Sequence, residues 1–461
     1  MLNLRPLLVP LLALGAACMP AREAPEQAAA AHEAPATQQV APAVAVKPAF
    51  PELGAALPAG HTGFDNATLA RLFTSLSHDV EWGARRRHLV RYEGPISVGL
   101  EGPGWATHIP FIDGFLAQLE RNSGVAIARA AGPANLHIRL VDGARFDALL
   151  PTAFCIVAQG DMSWDVFAAN PSHHGARALL AAERLEQTTI FIPRTAPPYL
   201  VRNCLLEEIP QALGLANDLY GLGPSIFNDD AAHLWPTKLD YLMLRVLYAP
   251  EMVTGLDRRE TEARALGVLN RINPAGISAP PLPLLRQRSL GDWPELIQKV
   301  FSRAASEREV RGYAQKALTI VEAYAPMSAQ HCHTLITAGR VLSRPEPERA
   351  LELLDLAQRV CDLAHGVSDI RHARIKLESA CALLRLERFD EAIAVTEAIW
   401  PVLAAHGQDE RLAALYTMQS AALAATEPGS ARTASVARLA AEWNAYALGG
   451  GRRAATCGPR V

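Results

Sequence analysis

Between Cys204 and Asp218 the chain reads CLLEEIPQALGLAND, and its polar residues fall at spacings that can build a catalytic centre. Residues four apart on a helix share a face, so Glu207 and Gln211 point the same way. Gly214 then lets the backbone turn back and brings Asn217 towards the same point, with Asp218 just beyond. Three side chains gathered like this make the grip for one metal ion, and Glu208 stands where a general base works on a metal-bound water. The residue types are less apt than the spacing. Glu207 can ligate zinc, but Gln211 and Asn217 offer neutral amide oxygens, which suit zinc poorly. Oxygens from Glu207, Gln211 and Asn217, with Asp218 or Asp229, suit calcium better, although calcium takes about six to eight of them. Pro210 inside the helix removes a bond to the Leu206 carbonyl, at a cost of about 3 kcal/mol unless a kink is wanted.

This register resembles the signature of the metzincin zinc proteases, H-E-x-x-H-x-x-G-x-x-H followed by a family-specific residue that is often aspartate. The resemblance puts Glu207, Gln211 and Asn217 at the three ligand positions, Glu208 at the general base, Gly214 at the turn and Asp218 beyond it. Downstream, SIFND (Ser225 to Asp229) is similar to the methionine turn of that family, with Phe227 where methionine stands, and TKLDYLMLRVLY supplies the aspartate (Asp240) and Leu-Tyr pair (Leu247, Tyr248) of its closing helix. More closely, E-E-x-x-Q-x-L-G-L-x-N-D with S-I-F-N-D resembles a bacterial family of exported proteins labelled only as a domain of unknown function, over about Thr62 to Asp257. The resemblance implies a zincin-like α+β fold, a mixed sheet followed by the motif helix, and carries no assigned activity. Three readings stay open. One is a metal-free relic in which Glu207, Gln211, Asn217 and Asp218 form a hydrogen-bonded polar hub with no cofactor. Another is a calcium-like site on the same oxygens. The third is a peptidase-like metallohydrolase with a non-standard divalent metal, zinc or calcium, in which Glu208 is the catalytic base.

The elements that must position these residues can be read on either side of them. NLHIRLVD, AFCIVAQ and TTIFIPR are short, branched, apolar runs that predict strands, and Pro197-Pro198 opens the motif helix after them. Helices are expected over 64–76 and around Ile109, Ile112, Phe115, Leu116 and Leu119, and a capping box opens another at Asp257 with Glu260. Residues 61–271 thus read as one α+β domain, and 272–291, rich in proline and glycine, as a hinge. Residues 292–448 read as all-α helical hairpins. Ala338, Ala380 and Ala422 recur at a step of 42, as do Ala350, Ala392 and Ala434. This resembles the tetratricopeptide class of repeats, which implies a surface for a protein partner. Arginine and glutamate along those helices, His173-His174, and His331 with His333 read as surface residues.

Composition sets the address. The chain has 461 residues, 50% of them hydrophobic, enough for two or three domains each with its own core. A formal net charge of -3, with no basic run longer than Arg85-Arg86-Arg87, speaks against nucleic acid as a partner. The start, MLNLRPLLVPLLALGAAC, predicts an export signal over residues 1–18, with Cys18 as a lipidation site that would tie the protein to a membrane of the cell envelope, facing the periplasm. Cleavage without lipidation is the alternative. Residues 19–60, mostly alanine and proline, predict a disordered tether of up to about 130 Å, and 449–461 a disordered tail. In an oxidising compartment Cys155 and Cys204 are expected to bridge strand to motif helix, while Cys332, Cys361, Cys381 and Cys457 leave several pairings open.

Overall fold

The structure is a computed structural model that describes residues 64–80, 84–220, 222–228, 230–279, 290–449 and 453–454. The expected leader with Cys18, the tether, Asp229, half of the connector 272–291, Cys457 and most of the tail lie outside them.

Helix α1 (Asn66–His78) begins where the Asp65 carboxylate accepts the Thr68 N–H at 3.0 Å. After β1 (Ile96–Glu101), α2 (Ile109–Ser123) buries Ile112, Phe115, Leu116 and Leu119 and ends on Gly124 in the left-handed region. Next come β2 (Ile127–Arg129), β3 (Leu136–Val141), α3 (Gly143–Leu149), β4 (Ile156–Gln159), α4 (Trp164–Ala169), α5 (Ala178–Ala181) and β5 (Thr188–Pro193). The sheet order is β2-β1-β3-β5-β4, parallel except for β4, which pairs antiparallel with β5. Both faces near β5 are covered, and every residue of that strand is buried. Leu136, Ile138, Ile190 and Ile192 enter the main core, while Phe191 packs with Phe146, Trp164 and Phe167 in a satellite core under α3 and α4. The runs NLHIRLVD, AFCIVAQ and TTIFIPR form β3, β4 and β5, and the strand-like alternation in RRHLVRYEGPISVGLEG holds β1. The three-residue β2 and the short helices α3 to α5 carry too little periodicity to be read in advance.

The motif helix α6 (Pro198–Ala212) follows the sheet, and α7 (Lys238–Leu247) and α8 (Arg258–Ile272) complete this part, α8 starting at the expected capping box of Asp257 and Glu260 and packing on α1. Everything described beyond residue 290 is helical: α9 (Trp293–Val300), α10 (Glu307–Tyr324), α11 (Ala329–Leu342), α12 (Pro347–His365), α13 (Arg371–Arg385), α14 (Phe389–Ala405), α15 (Asp409–Thr426) and α16 (Ala431–Leu448). Each packs chiefly on its neighbours in sequence, so the chain forms stacked hairpins. Ala338, Ala380 and Ala422 are buried on α11, α13 and α15, as are Ala350 and Ala392 on α12 and α14. Ala434, on α16, is exposed, and among the described residues no helix follows to stack on it.

Two expectations are corrected. The halves share a core: one continuous cluster runs from Phe73, Ile138 and Leu205 to Leu377, Leu415 and Trp443, beside a separate cluster within the array around Trp293, Leu335 and Leu354. His331 and His333, and the repeat arginines Arg371, Arg374 and Arg411, are buried rather than solvated. His333 and the three arginines lie where the helical array meets the α+β part, against Tyr220 and residues 230–231.

Candidate functional site

Helix α6 is held by its surroundings more than by its own sequence, since it carries Pro210 in its last turn. Cys204 forms a disulfide with Cys155, just before β4, with the Cα atoms 6.0 Å apart. A second bridge joins Cys332 of α11 to Cys361 of α12, and Cys381 is also disulfide-bonded. The helix ends because Gly214 takes φ +131°, and a Cβ there would lie 2.6 Å from the Val90 carbonyl oxygen. The Gly214 carbonyl accepts from Arg86, a buried guanidinium that also donates to the Leu179 carbonyl, both at 3.1 Å. Gly214→Ala should therefore cost about 2–3 kcal/mol, read as a lower urea midpoint with unchanged slope. A midpoint equal to that of the parent would show that the turn tolerates a side chain.

The residues singled out by spacing are only partly brought together. Gln211 donates to Asp218 at 2.9 Å, closing helix and following strand-like segment into one polar contact. Asn217 instead donates to the Ser75 carbonyl of α1 at 3.2 Å. Glu207 is half-buried and engaged in interactions of its own. Glu208 is the most enclosed of the set, 1% exposed, and its Oε2 has no hydrogen-bond partner among the described residues. Burial, reinforced by the charge of Asp218, pushes Glu208 up to about 8, so it is a neutral acid near pH 7. Beside Gln211 lies a cavity of about 10 Å³, room for a single water, lined also by Arg86, Thr188 and Leu179.

These residues do not fit zinc. Of the three ligand positions only Glu207 bears a group zinc favours, and the amide N–H groups of Gln211 and Asn217 are turned to different partners, Asp218 and the Ser75 carbonyl. Among the described residues, no group of three or more His, Cys, Asp and Glu side chains is placed to hold a metal ion.

The segment after α6 is fixed from both sides. Within its own half, Leu219 N–H donates to the Phe227 carbonyl at 3.0 Å, Phe227 is fully buried, and Asp240 at the start of α7 accepts from Ser225, Ile226 and Thr237. From the other half, the array grips three successive carbonyls: Arg374 donates to that of Asp230, Arg411 to that of Ala231 (3.2 Å) and Gln408 to that of Ala232 (3.0 Å). Ala231 is held in the left-handed region at φ 49°. The Asp230 carboxylate meets Arg371 at 2.6 Å, and Arg371, 1% exposed in its side chain, also pairs with Asp369 at 2.8 Å. Burial opposes ionisation of Asp230, but Arg371, with His333 and His365, outweighs it and holds the carboxyl down to about 2. Arg202 of α6 adds a further link, 2.6 Å from Asp409 and stacked over Tyr446.

Residues 66–265 match the profile of a family described as a protein of unknown function (DUF2927). The match runs from the start of α1 into α8, so it takes in the sheet, the motif helix, the Phe227 turn and Asp240, and stops short of the array that grips them. No curated protein and no solved structure matches the chain. Sequence reasoning missed the gripping residues, because Arg371, Arg374, Gln408 and Arg411 look like the polar faces of surface helices. One signal was there to find. The stretch NDDAAHLW carries neither a helical nor a strand-like pattern, so its backbone carbonyls require partners from elsewhere.

Proposed function

We propose that this is an exported, lipid-anchored envelope protein, facing the periplasm, whose zincin-like part has exchanged a metal centre for hydrogen bonds and acts, together with tetratricopeptide-like repeats, as a binding or scaffolding module for a protein partner. The observation that carries this reading is the Gln211–Asp218 bond: the second ligand position is used to fasten the chain to itself. The grip of the array on residues 230–232 supports it, since the segment following the motif is immobilised by protein groups. Export is supported by the oxidised state of all five described cysteines, which suits a compartment outside the cytoplasm. The order of mixed sheet, motif helix, buried turn and closing helix supports descent from a zincin-like scaffold.

A second reading, a metallohydrolase with a non-standard site, draws on Glu208, whose protonated, buried carboxyl, with Oε2 unpartnered among the described residues, is the kind of group that catalytic sites hold in reserve. One measurement separates the two. Purified chain is incubated with zinc or with calcium, dialysed and analysed for metal. The expected content is far below one ion per chain, and stoichiometric retention of either ion would overturn the scaffold reading.

A further inference from the structure

Three histidines line the contact between the array and the segment after α6. His333 of α11 is 4% exposed and lies against Tyr220 and Trp293, with ring centres 5.8 Å and 6.4 Å away. His365 ends α12, and its Nε2, like that of His333, is buried without a hydrogen-bond partner among the described residues. The third, His233, lies 3.6 Å from Asp369. A buried ring with no acceptor for Nε2 is tolerated only while it is neutral, since a proton there would add a charge that water cannot reach.

Charges act on these rings from several elements at once. On His333 they are Asp230 of the loop, Arg374 and Arg371 of α13, and His365; on His365 they are Arg371, Asp230, Asp369 before α13, and His233. The carboxylates favour an imidazolium and the guanidiniums oppose it. Burial leads in both cases, and holds His333 down to about 3 and His365 down to about 4. Arg371 keeps Asp230 ionised down to about 2, and His233 with Arg371 holds Asp369 below the usual carboxylate range against the effect of burial, so between pH 7 and pH 5 the carboxylates of the contact keep their charge.

The part of the array that carries His333 and His365 is built to open apart from the rest. Trp293, Ile297, Leu335, Leu354 and Val360 of α9 to α12 belong to the cluster that is separate from the core shared by the halves, and Tyr220 packs against it from outside. The Cys332–Cys361 bridge ties α11 to α12, and neither it nor Cys155–Cys204 crosses the contact. What holds Tyr220 there is weak by comparison: ring contacts, and the Gln330 amide donating to its carbonyl at 3.1 Å. The grip on residues 230–232 comes instead from α13 and the start of α15. We propose that the contact is an acid-sensitive latch, in which proton uptake by His333 and His365 lets α9 to α12 come away from Tyr220 and the Asp230–Arg371 pair and open as a unit of their own. Once open, both rings return to their ordinary 6.5, so the closed form is fully favoured above about that pH and loses ground as pH falls towards 4, by about tenfold per pH unit for each ring. The bridge keeps α11 beside α12 in the open form, ready to close again. The latch depends neither on export nor on the lipid at Cys18.

The test follows amide hydrogen exchange of the full chain by mass spectrometry at pH 7 and pH 5, each rate corrected for the intrinsic slowing of exchange in acid. Opening of α11 and α12 is expected to rise roughly several hundredfold over that range, about 25-fold from each ring, and to fall back on return to pH 7. Strands β3 and β5 should change by less than about tenfold. With His333→Gln and His365→Gln together, the rise in α11 and α12 is expected to shrink to less than about tenfold. If that chain does not fold, His365→Gln alone, at the half-buried ring, is expected to leave a rise of about 25-fold. Three results would each overturn the latch: α11 and α12 of the parent indifferent to pH, variants as sensitive to acid as the parent, or β5 opening in step with α11, which would mean unfolding of the whole chain.

Discussion

Glu208→Gln should make the protein more stable in alkali and leave it almost unchanged in acid. In the unfolded chain Glu208 ionises at its ordinary 4.5, whereas burial and the nearby Asp218 hold it protonated in the folded chain until about 8. Below 4.5 both states carry the proton, and the group contributes nothing. As pH rises from there the unfolded state gains a favourable charge that the folded state refuses, so stability falls, and the full penalty is present above about 8. At roughly 1.4 kcal/mol per pH unit the penalty is on the order of 4–5 kcal/mol, and glutamine, which fills the same space without ionising, removes it. Other buried groups titrate over the same range, so the quantity to read is the difference between variant and parent in urea midpoint, at pH 4 and pH 9. Parallel curves at both pH values would show that Glu208 is not held neutral by the fold.

The other large effect is expected at Arg371, which does its work 141 residues away from its partner Asp230. Arg371→Met keeps much of the volume but strands the carboxylates of Asp230 and Asp369 in a buried setting, and removing one partner of a buried pair typically costs about 3–5 kcal/mol. Changing Asp230 and Asp369 to asparagine in the same chain should recover a good part of that loss, since the cost lies in the unpaired charges rather than in the missing bond. Calorimetry and urea unfolding would check both variants. A single variant within about 1 kcal/mol of the parent would mean that the contact between array and loop contributes little to holding the halves together.

What could be read from the sequence was whatever depended on neighbours along the chain. Ala338, Ala380 and Ala422 announced the hairpins because helices pack closely only where side chains are small, as at Gly339, whose missing Cβ would fall 2.7 Å from Leu354. Asp257 with Glu260, and Gly214 after the motif helix, could be read for the same local reason. The pairing of Cys155 with Cys204 was legible because both sat in one predicted unit beside identifiable elements, whereas Cys332–Cys361 lay among cysteines with nothing to rank them. Within the candidate site, spacing gathered Glu207, Gln211 and Asn217 with Asp218 just beyond, and of these Gln211 and Asp218 meet. It could not say that Asn217 would turn to Ser75 of α1, a contact spanning 142 residues. Nor could it tell a buried arginine from a solvated one, since helical periodicity marks a polar face without revealing whether a loop from the other half will cover it. Arg371, Arg374 and Arg411 were misjudged on that account.

The reach of the Asp230–Arg371 pair also bears on how the protein comes into being. A ribosome adding roughly 5–20 residues each second needs on the order of ten seconds or more to go from the loop to the arginine that neutralises it. During that interval residues 230–232 have no donors for their carbonyls and Asp230 has no counter-charge, so the first half must wait, incompletely settled, for the second. For a chain exported unfolded, as proposed above, the pair could close only after the polypeptide had emerged at least as far as Arg371.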